Sequence, residues 1–140
     1  MFAFSAFVMH GLDRAPVPSA VAAMQGINLS APRPPLVLVM VGTSLVSVVV
    51  AVLVCVDLAR GEGGAGSWLA LAGCAAFVAS IVITGVFHIP RNNALADVDP
   101  DGPDAASAWA AYSGPWQRGN HVRAAAALGG ALLLSLSLAT

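Results

Sequence analysis

Two long apolar runs constrain this fold more than any other feature of the sequence. One covers residues 35–59 with Asp57 as its only charge, and the other covers residues 68–87 without a charge. At about 1.5 Å per residue in a helix, the first run spans about 37 Å, which is enough to cross a bilayer with some tilt. The sequence therefore predicts a membrane-spanning helix over each run.

Two other apolar segments are shorter. Residues 122–139 are apolar apart from Arg123 and are rich in alanine and glycine, which predicts a last helix that packs closely against its neighbours. Residues 1–12 make only about half of a membrane span, so the helix is re-entrant, continues through residues 15–28, or lacks its start upstream. We favour the third interpretation, because the run is typical of the second half of a helix. Residues 19–28 predict a short amphipathic helix.

The shortage of charge agrees with a fold that faces lipid. Apolar residues make up 58% of the chain and charged residues 9%, whereas about a quarter of the residues of a soluble domain are charged. The sequence predicts an all-α integral membrane four-helix bundle that forms one domain over residues 1–140, with an interfacial polar loop or helix between helices 3 and 4. The net charge of −1 gives no electrostatic reason to bind nucleic acid, and the expected partner is the lipid bilayer.

The polar segment between the third and last helices carries regularly spaced aromatic residues. Trp109, Tyr112 and Trp116 recur at spacings of three and four, which predicts an interfacial helix whose aromatic side faces the headgroups or the bundle. Five of the six arginines lie on one side of the predicted membrane, and only Arg60 lies on the other. The positive-inside rule then predicts a multi-pass protein of the cell membrane whose loops 1–2 and 3–4 are cytoplasmic.

A polar sequence, HIPRNNAL, follows the third predicted helix directly. Pro90 disfavours helix for the residue before it, so we expect the helix to end near His88. For Asn92 and Asn93 two roles are open: one of them caps a restarted helix, or the cap also lines a pocket. A polar side chain next to the hydrocarbon core needs a capping or binding role, because placing it in the hydrocarbon is unfavourable.

A second polar sequence, WQRGNHVR, precedes the last predicted helix. Asn120 is expected to cap that helix, which places His121 and Arg123 in its first turn. A cation in this position opposes the helix macrodipole, so Arg123 needs an anionic or carbonyl partner in the protein or in a ligand. The structural alternative is an arginine whose head group reaches the lipid headgroups.

The three histidines of the chain all fall at predicted helix ends. In a bundle of alternating helices, His10, His88 and His121 would come together on one side, where three imidazoles suit copper, iron or zinc. No HxxH or HExxH spacing supports a metal locally, and a lone histidine is more often a hydrogen-bonded structural residue. Cys55 and Cys74 sit inside apolar runs and are expected to pack as small hydrophobic residues.

Several segments together resemble a known family. FAFSAFVMHGLDRAP, AAMQGIN, TGVFHIPRNNALADVDP and a tryptophan followed by NHVR resemble, in this order, the anthrone oxygenase-like family of small four-helix membrane proteins. The family's Met-Gln-x-Ile-Asn segment corresponds to residues 24–28, its Pro-x-Asn-Asn-x-Leu turn to residues 90–95, and its Trp…Asn-His-x-Arg motif to residues 116–123. The chain departs from the family pattern at His10, His88 and Arg91.

The resemblance implies a membrane oxygenase, because characterised relatives oxidise anthrones to anthraquinones with O₂ as co-substrate. A base such as His121 or His88 would remove the acidic C–H proton, and Arg123, Asn92 or Asn93 would stabilise the oxyanion. The residues expected at the catalytic centre are His121, Arg123, Asn92, Asn93 and Asn120, and those expected to bind the lipophilic aromatic substrate are Gln25, Asn28, Trp116 and Arg91. The cofactor is either absent or a copper or iron ion held by His10, His88 and His121.

Two other functions are open from the residues alone. The same scaffold suits a non-redox acid–base enzyme such as a cyclase or an isomerase, which oxygen consumption would separate from an oxygenase. A non-catalytic carrier or partner subunit is the other alternative, in which alanine at His121 or Asn92 would alter stability or assembly but no turnover. A homo-oligomer that forms through the glycines of the last helix is a further expectation.

Overall fold

The structure is a computed structural model that describes all 140 residues and contains helices and turns but no strand. The all-α class predicted from the sequence is therefore confirmed. The α-helices are α1 (Met9–Asp13), α2 (Val17–Ser30), α3 (Pro34–Ala59), α4 (Ala65–Ile83), α5 (Ile89–Ala96) and α6 (Ala105–Ser137). Two π-helical segments, Phe4–Val8 and Thr84–His88, run directly into α1 and α5.

Helices α3 and α4 form a hairpin whose ends follow from local sequence. Pro34 and Pro35 occupy the first turn of α3, where a missing N–H leaves no intrahelical bond unmade. Gly61 follows α3 at a φ of 78°, a left-handed conformation that favours glycine. The Ser67 hydroxyl accepts a hydrogen bond from the Gly64 N–H at the start of α4. These end signals lie close to the boundaries expected from the two apolar runs.

Two helical stretches are long and apolar enough to cross a bilayer. They are Pro34–Ala59, with a mean hydropathy of 2.8, and the continuous stretch Ala65–Ala96, with a mean hydropathy of 2.3. Only 6% of the most apolar window of the first stretch is buried inside the protein, so its side chains need another apolar surrounding. The two helices indicate membrane association. The predicted four-helix bundle is not confirmed, because α3 contacts α4 and no other helix.

The helical stretch that begins with α4 continues past Pro90, and the stop predicted there is wrong. The chain continues through the π-helical segment Thr84–His88 into α5, whose first turn contains Pro90. Proline lacks the N–H that would bond to the preceding turn, and the wider π turn takes up this mismatch without ending the helix. Asn92 and Asn93 therefore lie inside α5, and neither caps a restarted helix.

Helix α6 is one continuous helix of 33 residues that passes through Pro115. The sequence predicts instead a separate interfacial helix and a last helix over residues 122–139 that Asn120 caps. That boundary is wrong, because Asn120 lies in the middle of α6 and Arg123 is not in a first turn. Burial of Trp109, Tyr112 and Trp116, on both sides of Pro115, outweighs the backbone bond that this proline removes.

The helices outside the α3–α4 hairpin pack around a small apolar core. Its members come from α1, α2, α5 and the first half of α6: Met9, Ala20, Val21, Met24, Leu95, Trp109, Tyr112 and Trp116. The aromatic side of the polar segment therefore lies against other helices of the chain. The amphipathic stretch predicted over residues 19–28 is part of α2, and it contributes three of these core side chains.

Close backbone contact joins α4 to the second half of α6. A Cβ at Gly73 would lie 2.9 Å from the Gly130 carbonyl oxygen, and a Cβ at Gly130 would lie 2.9 Å from the Gly73 carbonyl oxygen. Small residues thus let the two helices approach closely. Gly130 is engaged inside the chain and is not free for a contact between copies, whereas Gly129 faces open space.

Candidate functional site

Polar side chains meet where the two π-helical segments contact α6. We call Ser5, Thr84, His88, Asn120 and Arg123 the polar cluster; Ser5 comes from the first π-helical segment, and Thr84 and His88 come from the second. His88, Asn120 and Arg123 are buried. π-Helical turns are rare and occur frequently at functional sites. Both π turns of this chain contribute to the polar cluster, which makes it the candidate site.

Arg123 is a buried cation with neutral partners, and only 9% of the residue is exposed. Its Nη1 donates to Thr84 Oγ1 at 3.3 Å, and its Nη2 donates to Asn120 Oδ1. Its Nε is buried without a hydrogen-bond partner. Leaving a donor of a buried cation unpaired is unfavourable, so Nε is suited to bind an oxygen atom of a ligand.

Asn120 connects Arg123 to the N-terminal segment. Its Nδ2 donates to the Met1 carbonyl oxygen at 3.1 Å and to Ser5 Oγ at 2.8 Å, while its Oδ1 accepts from Arg123. The amide nitrogen and the amide oxygen of this fully buried residue are thus both engaged. Asn120 holds the guanidinium in place, which differs from the helix-capping role predicted from the sequence.

His88 has one imidazole nitrogen bound and one unpaired. Its Nδ1 lies 3.3 Å from the Ile83 carbonyl oxygen, and because that oxygen only accepts, Nδ1 carries a hydrogen. Its Nε2 is buried without a partner, and the residue is only 1% exposed. In the neutral ring Nε2 therefore carries a lone pair, and a general base accepts a proton on such a lone pair.

The position of His88 depends on a close contact between α6 and the second π-helical segment. A Cβ at Gly119 would lie 2.7 Å from Phe87 Cδ1 and 3.2 Å from His88 Cε1, so only glycine fits there without displacement. The Arg91 guanidinium lies over the Phe87 ring, with Cζ 3.6 Å from the ring centroid, and its Nη1 donates to the Phe87 carbonyl oxygen. Arg91 therefore supports Phe87, the neighbour of His88.

Asn92 orients the aromatic residues beside the polar cluster. Its Oδ1 accepts from the Tyr112 hydroxyl and from Trp116 Nε1, each at 2.9 Å. Asn28 Nδ2 donates to the same hydroxyl at a longer 3.5 Å. Burial raises the pKa of the Tyr112 phenol above its ordinary value, so the hydroxyl stays protonated and can donate. The structure therefore gives Asn92 and Asn28 roles in holding Tyr112 and Trp116.

Two other predicted site residues lie outside the polar cluster. Gln25 Nε2 donates to the Leu95 and Val98 carbonyl oxygens at 2.9 and 2.8 Å, and it thereby satisfies carbonyls at the end of α5. Asn93 is exposed and has no hydrogen bond to the polar cluster. Trp116, by contrast, is buried against His88, with ring centroids 5.0 Å apart and planes at 88°.

The structure does not bring the three histidines together. His88 is buried, whereas His10 and His121 are exposed. No group of three His, Cys, Asp or Glu side chains is close enough to hold a metal ion. Successive residues of a helix point about 100° apart, so the burial of Asn120 leaves His121 on the outside of α6. The three-histidine arrangement predicted from counting helices is therefore not formed.

The sequence alone does not reveal Ser5 and Thr84 as site residues. Hydroxyl side chains in apolar helices commonly bond to their own backbone, as Thr43 and Ser47 do in α3. The available signal for Thr84 is its spacing of four residues before His88, which puts both side chains on one helix face. Ser5 has no local signal, because its partner in α6 is distant in the sequence.

Two surface grooves lie away from the polar cluster. One is an apolar groove between α3 and α4 that Cys55 and Cys74 help to line, and the other lies at the connection between α2 and α3 near Arg33. Both cysteines are free. Cys74 is buried as a small hydrophobic residue, as predicted, whereas Cys55 is exposed. Neither groove contains the unpaired buried nitrogens, which belong to the polar cluster.

A comparison with family models gives one match. The model described as anthrone oxygenase matches residues 34–133, which is more than two thirds of the chain. The matched stretch contains α3, α4, α5 and most of α6, and with them every member of the polar cluster except Ser5. No curated protein and no solved structure matches the chain.

Proposed function

The chain belongs to the anthrone oxygenase family, and on that basis we propose that it is a membrane-embedded oxygenase with its catalytic centre at the polar cluster. The proposed substrate is a lipophilic aromatic ketone with an acidic C–H bond, of the anthrone-like polyketide kind. O₂ is the proposed co-substrate. The two long apolar helices support a substrate that reaches the protein from the bilayer.

One observation carries the proposal: the polar cluster holds one unpaired acceptor and one unpaired donor. The acceptor is His88 Nε2 in the neutral ring, and the donor is the N–H at Arg123 Nε. Buried polar atoms are normally satisfied, and unsatisfied ones call for an explanation such as a catalytic role. A ligand that gives up a proton and gains negative charge on an oxygen would satisfy both atoms.

In the proposed reaction, His88 Nε2 accepts a proton from the carbon opposite the substrate's carbonyl group, and the carbonyl oxygen gains negative charge. Arg123 Nε donates a hydrogen bond to that oxyanion. The electron-rich carbon then adds O₂ and takes up a proton to become a hydroperoxide. Loss of the second hydrogen from this carbon, with cleavage of the O–O bond, leaves a new carbonyl group. One oxygen atom enters the quinone, and the other leaves as water.

The surroundings of the two atoms favour this chemistry. Trp116 lies against both side chains, and Phe4 packs on Trp116 with ring centroids 5.3 Å apart. Hydrogen bonds to a developing charge are stronger in such water-poor surroundings than in water. Because Thr84 and Asn120 already hold the guanidinium, little reorganisation is needed when the oxyanion forms.

The proposed orientation in the membrane keeps the loops before α3 and between α5 and α6 in the cytoplasm. Arg14 and Arg33 are exposed near the connections before α3, and Arg91 and Arg118 lie in α5 and α6, whereas Arg60 lies at the turn between α3 and α4. This asymmetry agrees with the positive-inside rule. Cysteine labelling at position 14 and at position 62 from each side of the membrane tests the orientation.

An anthrone supplied to the purified protein in lipid nanodiscs tests the proposed activity. Oxygen uptake and quinone absorbance are recorded together, and empty nanodiscs correct for spontaneous oxidation. We expect one O₂ consumed for each quinone formed, and label from ¹⁸O₂ in the new carbonyl group. Substrate conversion without oxygen uptake would indicate a non-redox acid–base enzyme. The absence of conversion above empty nanodiscs for a series of enolisable aromatic ketones would contradict catalysis.

A further inference from the structure

Arg123 is a buried cation that no acidic side chain neutralises. Its two side-chain partners, Thr84 and Asn120, are both neutral. The acidic residues of the chain all belong to other parts of it: Asp13, Asp57, Glu62, Asp97, Asp99, Asp101 and Asp104. A buried charge without a counter-charge is strongly destabilising, and two hydrogen bonds to neutral groups offset only part of that penalty.

A second observation points to a ligand at the same position. Arg123 is nine-tenths buried, and its Nε is the guanidinium nitrogen that has no partner. Thr84 and Asn120 engage the other two nitrogens, so the Nε edge is the part of the guanidinium left for an external acceptor. The cluster thus offers a fixed and buried donor that already carries a positive charge.

We propose that the polar cluster binds a small monovalent inorganic anion, such as chloride or bromide, at the Nε edge of Arg123 when no substrate is present. A single guanidinium charge matches a single negative charge, and a halide accepts hydrogen bonds from the donors present. Binding requires neither substrate nor O₂, so it goes beyond the proposed reaction. Competition between the anion and the substrate oxyanion rests on the proposed function.

Trp116 provides a reporter for this site, because Arg123 Cζ lies 5.8 Å from its ring centroid. Bromide quenches indole fluorescence only at short range. The full chain in nanodiscs, with Trp68→Phe to remove an exposed tryptophan, is titrated with sodium bromide at constant ionic strength balanced by gluconate. We expect quenching that saturates and that chloride reverses. Quenching that stays linear in bromide would overturn the proposal.

Two substitutions on α6 locate the bound anion. Arg123→Gln is expected to weaken bromide binding by at least about tenfold, because a charge-assisted hydrogen bond is lost. Arg118→Gln is the matched control, since Arg118 is an exposed arginine of the same helix, and it is expected to bind as the parent does. Saturable quenching with parental affinity in folded Arg123→Gln would overturn the proposal.

Trp116→Phe keeps the test decisive if Arg123→Gln does not fold. This variant retains Arg123, so we expect the saturable quenching to disappear while chloride still raises the melting temperature. Persistence of the saturable quenching would place the anion near Trp109 and overturn the proposal. Saturable bromide binding without quinone formation would support the anion site and contradict the oxygenase. Quinone formation with linear quenching would support the oxygenase and contradict the anion site.

Discussion

His88 and Arg123 lie against the same indole ring. The His88 ring centroid is 5.0 Å from that of Trp116, and Arg123 Cζ is 5.8 Å from the Trp116 centroid. Each of the two residues keeps one buried nitrogen without a partner, an acceptor in the neutral histidine and a donor in the arginine. A general base and a hydrogen-bond donor beside one aromatic ring suit an enolisable ketone, because the base can accept the C–H proton and the donor can bind the oxyanion.

Replacement of His88 by alanine tests the base directly. We expect kcat for quinone formation to fall by about 100-fold or more, because positioned general bases contribute about 10² to 10⁴. His121→Ala is the matched control, since His121 is exposed and has no part in the polar cluster. Its turnover should stay near that of the parent. A large loss in His121→Ala with little loss in His88→Ala would contradict the assignment.

Gly119→Ala tests whether the close contact with Phe87 positions His88. The added Cβ would lie 2.7 Å from Phe87 Cδ1, so the π-helical segment must shift. Overpacking of this kind destabilises by about 1–3 kcal/mol, and kcat should fall although no reacting group is removed. Gly129→Ala is the control in the same helix, because nothing lies within 4 Å of its Cβ. Equal melting temperatures and rates in the two variants would refute the positioning role.

Asn92→Ala tests the hydrogen bonds that orient Trp116. The substitution leaves the Tyr112 hydroxyl and Trp116 Nε1 without their shared acceptor, and each unsatisfied buried donor costs about 1–3 kcal/mol. We expect a lower melting temperature and a changed tryptophan emission, with a loss of turnover that Asn92→Asp partly restores. Asn93→Ala is the exposed control and should be close to neutral. An unchanged tryptophan emission in Asn92→Ala would contradict the role.

Gly130→Ala tests the contact between α4 and α6. The new Cβ would lie 2.9 Å from the Gly73 carbonyl oxygen, so we expect destabilisation by about 1–3 kcal/mol without a change in particle mass. Gly129→Ala meets no atom within 4 Å and should stabilise the helix slightly. Thermal melting and light scattering after size exclusion distinguish the variants. A mass change in Gly130→Ala alone would indicate a contact between copies instead.

The buried phenol of Tyr112 should make the free energy of unfolding depend on pH in the alkaline range. Burial raises the pKa of this residue, the sole tyrosine of the chain, in the folded state. The unfolded chain then loses the phenol proton first, so stability is fully present below about pH 10 and falls as pH rises above it. Tyr112→Phe should remove this part of the fall, which denaturation at several pH values between 8 and 11.5 would measure. Identical alkaline profiles for both proteins would contradict the prediction.

Local features of the sequence were sufficient for much of the helical structure. The apolar run predicted over residues 35–59 corresponds to α3, which spans Pro34–Ala59, because length, apolarity and the flanking prolines and glycines act locally. The spacing of Trp109, Tyr112 and Trp116 puts them on one face of a helix, and that face is buried. The proline rule failed at Pro90, where a π turn takes up the mismatch. The helix start predicted at Asn120 was also wrong, because α6 continues through that residue.

The sequence by itself determined the all-α class, the two long apolar helices and the family, since apolar length, periodicity and short motifs depend on neighbours along the chain. It also singled out Arg123 as a cation in need of a partner, although for a reason that the continuous α6 removes. Only the tertiary structure decided which polar groups meet. Asn120 and Ser5 are 115 positions apart, and Arg123 and Thr84 are 39 apart. Such pairs form through the packing of whole helices, and the same packing buries His88 and leaves His10 and His121 outside.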